Sequence, residues 1–250
     1  MSRRRAGSGA RRNGSGPSWR GRVAAALLAL LAIAASAALL LQLWYFAHIV
    51  WLRDHPPATT AFMSAQLERL REQDPHARLR HQWVPYERIS VHLKRAVIAA
   101  EDANFTEHDG IDWDALERAY ERNLRHGKVV GGGSTITMQL AKNLFLSERR
   151  SYLRKLQELA IAAMLERVLT KRRILELYLN VAEWGVGVFG AEAAAQHYHG
   201  IPAANLTPAQ AARLASMLPR PRHYDRQRDS PALARRTAMV QRWMGAVTPP

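Results

Sequence analysis

The chain has 250 residues, with 36 lysines and arginines against 21 aspartates and glutamates, which gives a formal net charge of +15. It contains no cysteine, so disulfides, thiol nucleophiles and cysteine metal sites are excluded. The sequence also lacks the HExxH spacing of zinc peptidases and the Gly-Lys-Ser/Thr ending of a nucleotide-binding P-loop.

The first 51 residues predict a membrane anchor behind a basic tail. Residues 1–22 carry seven arginines and no acidic residue among Gly, Ser and Pro, which is typical of a disordered segment. Residues 23–51 contain no Lys, Arg, Asp or Glu and are long enough for a transmembrane helix, which we expect to remain uncleaved. The arginines predict a cytoplasmic N-terminus, so we expect the residues after the anchor to lie outside the membrane. If the chain is bacterial, it is then anchored in the inner membrane, with these residues in the periplasm or at the cell exterior.

The residues after the anchor predict one mainly α-helical domain, because apolar residues recur at helical spacing. Residues 52–80 include a short amphipathic helix at 61–72, expected to link the anchor to a domain at 81–250. Without the seven tail arginines, 29 basic and 21 acidic residues remain, and this net charge of +8 favours an anionic partner. For a domain tethered outside the membrane, we expect phosphorylated lipid carriers rather than nucleic acid.

The segment AVIAAEDANFTEHDG, residues 96–110, has acidic residues at the end of an apolar helical run. In a helix capped by Ser90, the residues Leu93, Val97 and Glu101 follow one another at i+4 and share the buried face. Burial raises the pKa of a carboxyl and makes it an effective proton acceptor near neutral pH. The alternative is an ordinary helix C-terminus whose acids pair with nearby Lys or Arg.

Three glycines precede a second helical segment, STITMQLAKN at residues 134–143. Ser134 is placed to cap this helix, and Thr135, Gln139 and Lys142 share one polar face. Helix N-termini bind phosphate through free N–H groups and the helix dipole. A plain amphipathic helix with a solvated lysine is an equally good interpretation of this segment alone.

A basic segment follows, with Arg149, Arg150, Arg154 and Lys155, and Glu158 lies one turn after Arg154. On a solvated face such an i,i+4 pair contributes only some tenths of a kcal/mol. The next segment, KRRILELYLN at 171–180, predicts a helix with a core stripe, and a polar, glycine-rich corner with Asn180 and Glu183 comes after it. His197 and His199 are expected to be structural or solvated rather than metal ligands.

Four motifs in this order resemble the peptidoglycan glycosyltransferases, the family that includes the glycosyltransferase domain of bifunctional penicillin-binding proteins. They are EDxxFxxHxG from Glu101 to Gly110, GGSTITxQLxKN from Gly132 to Asn143, RKxxE from Arg154 to Glu158, and KRRILELYLN from Lys171. The resemblance covers about residues 80–224. No SxxK or KTG motif of a transpeptidase is present, so we expect a single catalytic domain.

The resemblance implies a lysozyme-like helical fold and the polymerisation of lipid II, a disaccharide-peptide on undecaprenyl diphosphate. The 4-hydroxyl of the incoming sugar attacks the anomeric carbon of the growing strand with inversion, Glu101 serves as general base, and Glu158 is the second essential glutamate. The remaining positions implied to contact or support substrate are Asp102, Phe105, His108, Ser134, Thr135, Gln139, Lys142, Arg150, Arg154, Lys155, Asn180 and Glu183.

Several points stay open at the level of sequence. The resemblance leaves room for a divalent ion, Mg²⁺ or Mn²⁺, near the diphosphate, and it requires no other cofactor. Partners in division or wall synthesis are also undecided. Met138 stands where many relatives have Gln. Two other functions remain: a lysozyme-like enzyme that cleaves glycan with paired carboxylates, and a non-catalytic scaffold anchored to the membrane.

Overall fold

The computed structural model describes residues 19–127, 133–149 and 151–250, and within these ranges the predicted mainly helical fold is confirmed. The helices are α1 (Trp19–Leu52), α2 (Ala61–Arg71), α3 (Val91–Glu101), α4 (Trp113–His126), α5 (Ile136–Phe145), α6 (Tyr152–Val168), α7 (Lys171–Val181), α8 (Ala191–His199), α9 (Pro208–Met217), α10 (Pro221–Arg226) and α11 (Pro231–Trp243). A small sheet has the order β1 (Arg80–His81), β3 (Val188–Phe189), β2 (Glu183–Gly185), with β3 parallel to β1 and antiparallel to β2.

Helix α1 is a 34-residue apolar helix, long and apolar enough to cross a membrane. It begins at Trp19, four residues before the predicted span. The chain divides into two compact units, one ending at Tyr45 and one running from Phe46 to Pro250. The segment predicted as a linker belongs to the second unit, because α2 packs against α5 and buries Met63 and Gln66.

The second unit contains two groups of packed helices. Helix α3 packs against α9 and α11, and α5 packs against α6 and α7. The predicted buried stripe of α3 is confirmed, since Leu93 and Val97 are fully buried. Each such aliphatic side chain stabilises the fold by roughly 1.5–3 kcal/mol. At its C-terminal end, α3 is hydrogen-bonded to one residue of each group, Gln139 of α5 and Arg236 of α11.

Helix caps set where the site helices begin. Ser90 caps α3 by accepting a hydrogen bond from the N–H of His92, as predicted. The cap of α5 is Thr135 rather than Ser134, and the helix begins at Ile136. The Thr135 hydroxyl donates to the carbonyl of Gly110 at 2.6 Å while accepting from the N–H of Met138, which fixes it as the capping residue.

Candidate active site

Glu101 is the last residue of α3, and its side chain is 9% exposed. Gln139 of α5 donates from Nε2 to Glu101 Oε2 at 2.9 Å, and Arg236 of α11 donates from Nη2 to Glu101 Oε1 at 3.1 Å. The hydroxyl of Tyr178 donates to Gln139 Oε1 at 3.0 Å, which sets the amide orientation. Donors on two different helices thus hold the two oxygens of one carboxylate.

The electrostatic environment of Glu101 combines opposing effects. Burial raises the pKa of the Glu101 carboxyl above its ordinary value, while the Gln139 hydrogen bond and the Arg236 charge act in the opposite direction. Lys142 adds a weaker attraction that also lowers this pKa. The result is a largely buried carboxylate that remains basic enough to take up a proton, which is the property required of a general base.

Asp102 joins the end of α3 to the start of α5. Its Oδ2 accepts from the N–H of Ile136 at 2.9 Å, and its Oδ1 lies 2.9 Å from His108 Nε2. Because His108 Nδ1 accepts from the N–H of Gly110, we assign the ring proton to Nε2, which donates to Asp102. Asp102 and His108 therefore fix the backbone around Glu101 rather than offering free groups to a substrate.

Glu158 of α6 lies inside a cluster of cations and is 3% exposed. Lys155 donates to Glu158 Oε1 at 2.6 Å, and Arg154 donates to Glu158 Oε2 at 2.7 Å. Lys155 also donates to the hydroxyl of Ser134 at 3.2 Å, next to the N-terminus of α5. The predicted i,i+4 pair of Arg154 and Glu158 is thus formed, and it is a buried organising contact instead of a solvated surface pair.

The ammonium of Lys142 on α5 is influenced by the charges of both Glu101 and Glu158. Burial lowers the pKa of Lys142, while the charges of Glu158 and Glu101 raise it. Within the described residues it makes no ion pair with either acid, and its ammonium lies 5.2 Å from the centre of the Phe62 ring. Such a partly desolvated cation is well placed to bind an anionic group entering from solvent.

Two open cavities each have one lining residue in the Glu101–Gln139 hydrogen bond. One, of about 410 Å³, is lined by Gln139, Lys142 and Tyr178 among others. The other, of about 400 Å³, is lined by Glu101 and Ser134 together with Asp102, Asn104, Arg118 and Arg122.

Glu183 lines the first cavity. Arg222 of α10 donates from Nε to Glu183 Oε1 at 2.7 Å and from Nη2 to Glu148 Oε1 at 2.7 Å. Arg69 of α2 makes a second pair with Glu148 and is the main reason that the pKa of Glu148 falls to about 2. This network ties α2, α10 and β2 around the cavity.

Three of the residues predicted to contact or support substrate are buried, and their contact with substrate stays a prediction. Phe105 is fully buried, and the ammonium of Lys171 lies 4.7 Å from its ring centre. Thr135 is 3% exposed and serves as the α5 cap described above. Asn180 is fully buried and bonds to the backbone. Their polar or aromatic character supports the loops of the site, a role that the sequence pattern does not distinguish from substrate contact. Arg150 lies outside the described residues.

Asn180 provides a direct test of this structural role. Its Oδ1 accepts from the N–H of Val84 at 2.9 Å, and its Nδ2 donates to the carbonyls of Val84 and Glu176, both at 2.9 Å. We expect Asn180→Ala to lower the free energy of unfolding by about 3 kcal/mol, because at least two buried backbone groups lose their partners. Thermal unfolding of the detergent-solubilised chain measures this loss. Asn205→Ala, at an exposed position, should leave the melting temperature unchanged; equal melting of both variants and wild type would contradict the assignment.

The acidic groups of the site do not fit a resident divalent ion. Asp102, His108 and Asp112 place their ligand atoms within 4.8 Å of one another. Asp112, however, accepts from the N–H of Ala115 and from Asn104, and Asp102 and His108 are engaged as described above. Both oxygens of Glu158 already accept from cations. These carboxylates and His108 already have hydrogen-bond or ion-pair partners, so no step of the reaction is assigned to a metal.

Three residues that contribute to the site are not identified by the sequence pattern. Tyr178 was placed in a core stripe, which is correct for its ring but omits its hydroxyl. Arg236 and Glu148 lie outside the four motifs, and their partners are distant in sequence. Met138, where many relatives have Gln, is 1% exposed and packs in the core, so it offers no contact to a substrate.

Comparison with known proteins agrees with the fold. Residues 66–245 match the family model described as Transglycosylase, a range that extends beyond the resemblance noted from the four motifs. The matched range contains the helical domain with Glu101, Glu158 and the cations around them. The chain belongs to this transglycosylase family, which has a lysozyme-like helical fold.

Individual relatives extend the match over nearly the whole chain. A protein from Janthinobacterium sp. (strain Marseille) is 61% identical over 212 residues, covering 85% of this chain and 92% of the relative. One from Chromobacterium violaceum is 55% identical over 224 residues, covering 90% and 98%. One from Bordetella pertussis is 58% identical over 232 residues, covering 91% and 94%. All three are named biosynthetic peptidoglycan transglycosylase.

Proposed function

We propose that this chain is a peptidoglycan glycosyltransferase that elongates glycan strands from lipid II during cell wall synthesis. The observation that carries the proposal is a largely buried carboxylate, Glu101, bonded to Gln139 of the helix that also carries Lys142. At the N-terminus of that helix, Lys155 contacts Ser134, and Lys155 and Arg154 both pair with the buried Glu158. Its substrates are lipid II and the growing lipid-linked strand, and its products are the strand extended by one disaccharide unit and undecaprenyl diphosphate.

In the proposed reaction Glu101 is the general base. It takes the proton from the 4-hydroxyl of lipid II as that oxygen forms a bond to the anomeric carbon of the growing strand. The bond between this carbon and the diphosphate oxygen breaks on the opposite face, so the configuration inverts and a β-1,4 linkage forms. Gln139 and Arg236 support this role because they hold the carboxylate at both oxygens.

The leaving diphosphate needs positive charge in place before the bond breaks, since preorganised charges stabilise the transition state at no cost in reorganisation. Lys142, Arg154 and Lys155 supply it. Glu158 keeps the last two in position through ion pairs at 2.6 and 2.7 Å. The N-terminal end of the α5 dipole, with Ser134 beside it, adds a partial positive charge that suits a phosphate.

The cation cluster also favours polymerisation over the two other functions. A glycan hydrolase needs a second carboxyl that acts as acid, base or nucleophile, whereas both oxygens of Glu158 accept from cations. A hydrolase also has no anionic leaving group that requires such a cluster. A scaffold needs no carboxylate that lines a cavity and has a pKa raised by burial.

We further propose that the basic tail, residues 1–22, stays in the cytoplasm, that residues 23–51 cross the inner membrane, and that residues 52–250 are periplasmic. The apolar helix α1 and the arginines before it support this arrangement. A polyprenyl-linked substrate stays in the bilayer, so an anchored enzyme shares a thin layer with it at raised effective concentration.

Helix α4 carries a surface suited to a membrane interface. Trp113, Tyr120 and Leu124 are each more than 60% exposed, and Arg118 and Arg122 lie on the same helix. Exposed aromatic and aliphatic residues interspersed with arginines are typical of helices that lie at a lipid headgroup layer. This surface supports a catalytic domain that works close to the bilayer.

The test of the proposed function is the reaction itself. The purified full-length chain is incubated in detergent with lipid II, and both glycan and undecaprenyl diphosphate are quantified. We expect one undecaprenyl diphosphate for each new glycosidic bond, in a polymer that a muramidase digests. Release of fragments from preformed glycan without polymer would establish the hydrolase instead, and neither activity would leave the scaffold.

A further inference from the structure

Arg236 reaches the carboxylate of Glu101 from α11, outside the four motifs. Its Nη2 donates to Glu101 Oε1 at 3.1 Å and to the carbonyl of Ala100 at 3.2 Å, although 135 residues separate it from Glu101 in sequence. The Arg236 side chain is 27% exposed. Within the described part of the chain, it does not line either cavity of the site. Its contact with the site is therefore made through Glu101.

We propose that Arg236 is a positioning residue for glycosyl transfer, which fixes one oxygen of Glu101 and holds this carboxylate ready to accept a proton. This inference rests on the function proposed above, with Glu101 as the base. Gln139 fixes the other oxygen, so rotation of the carboxylate about its terminal bond is blocked from two sides. The lone pairs that remain are available to the acceptor hydroxyl in the cavity that Glu101 lines.

Among the described residues, the side-chain hydrogen bonds of Arg236 come from Nη2, to Glu101 and to the Ala100 carbonyl at the end of α3. Its Nε is buried and has no hydrogen-bond partner among these residues, as is also true of Arg69, Arg95 and Arg154. The feature that distinguishes Arg236 is therefore its contact with the Glu101 carboxylate.

The charges around Glu101 identify Arg236 as its direct ion-pair partner. Lys142 faces it from α5 at longer range, the neutral phenol of Tyr178 faces it from α7, and Asp102 follows it on its own chain segment. Helix α9 also packs on α3, but Arg213, its charged residue, bonds to the carbonyl of Arg228. Within the described residues, Arg236 is the cation within 4.0 Å of Glu101.

This arrangement determines the direction in which the pKa of Glu101 should change when the charge of Arg236 is removed. A neighbouring cation favours the ionised carboxylate, so removing Arg236 raises the pKa of Glu101. The base is then protonated, and inactive, over a wider acidic range. Activity should fall most at low pH and recover as pH rises above the new pKa. A residue that only stabilised the fold would lower activity equally at every pH.

The experiment measures kcat and KM for lipid II across a pH series with the full-length wild type and three variants, Arg236→Gln, Arg236→Lys and Arg235→Gln. Arg235 is exposed on the same helix, so its variant controls for the loss of one positive charge. For Arg236→Gln we expect the acidic limb of kcat to move up by about one pH unit, with about a tenfold lower kcat on that limb. KM should stay within about twofold of wild type.

Arg236→Lys keeps the charge and should restore the acidic limb to its wild-type position, and Arg235→Gln should match wild type throughout. The proposal is overturned if Arg236→Gln lowers kcat by one factor at all pH values, or raises KM with the limb unmoved. If Arg236→Gln does not fold, the lysine variant decides: a displaced limb or no activity overturns the proposal. Wild type without polymer would instead mean that the proposed function itself has failed.

Discussion

Replacing Glu101 with glutamine is expected to lower kcat for glycan polymerisation at least about 100-fold while the protein remains folded. A general base contributes roughly 10²–10⁴ to the rate, and an amide of the same shape cannot accept the proton. The glutamine oxygen can still accept from Arg236 or Gln139, which donate to the carboxylate in the wild type. Polymer formed from lipid II per minute, on protein with a wild-type circular dichroism spectrum, measures the effect.

The matched control is Glu107→Gln, the same chemical change at an exposed position six residues away. It should retain wild-type activity. A folded Glu101→Gln protein with more than about a tenth of wild-type kcat would contradict the assignment of the base, because that loss is smaller than general-base catalysis provides.

The raised pKa of Glu101 gives the wild type a defined pH dependence. The base is active when ionised, so kcat should decline as pH falls through a pKa higher than that of an ordinary glutamate. Burial is the main cause of the shift, and it is opposed by Gln139 and Arg236. The acidic limb of the wild-type profile therefore reports on this single group, and it should disappear from the residual activity of Glu101→Gln.

Replacing Glu158 with glutamine is expected to lower kcat/KM for lipid II about 100-fold. An amide does not neutralise Arg154 and Lys155, so the two cations lose the group that holds them toward the diphosphate. Breaking a buried ion pair costs 3–5 kcal/mol, and the loss of fold stability here should be smaller because the Lys155 side chain is 37% exposed. Steady-state kinetics and thermal unfolding separate the two effects.

The chain offers a control of the same spacing for this variant. Glu121 and Arg125 form an exposed i,i+4 pair on α4, with the nitrogen and oxygen 3.4 Å apart. Glu121→Gln removes a pair that contributes only tenths of a kcal/mol, and neither stability nor kcat/KM should change. Equal behaviour of the two glutamine variants would show that Glu158 has no special role.

The part of the site built on local periodicity could be predicted from the sequence. The i+4 spacing of Leu93, Val97 and Glu101 placed a carboxyl on a buried helix face, and the structure places it there. Spacing alone also predicted that Arg154 meets Glu158. It could not predict that the pair is buried, because this burial depends on how α5 and the residues before it pack against α6.

Long-range partners could not be predicted in this way. Arg236 belongs to a helix whose own pattern is ordinary, and only the packing of α11 on α3 brings it to Glu101. Polar residues near glycine-rich corners pose the opposite problem. Asn180 has the composition of a site residue, yet its amide completes the backbone hydrogen bonding of Val84 in the core. A single sequence does not distinguish a polar group that faces water from one that satisfies buried backbone.

In the proposed mechanism, Glu101 accepts the proton and the cations bind the diphosphate, so the two functions are carried by different residues. The most direct test is equilibrium binding of a lipid II analogue that lacks the acceptor 4-hydroxyl, which wild type, Glu101→Gln and Lys142→Met cannot elongate. We expect Glu101→Gln to bind as tightly as wild type and Lys142→Met to bind about tenfold more weakly, the loss of one charge-assisted contact. Weak binding by Glu101→Gln together with unchanged binding by Lys142→Met would contradict the account.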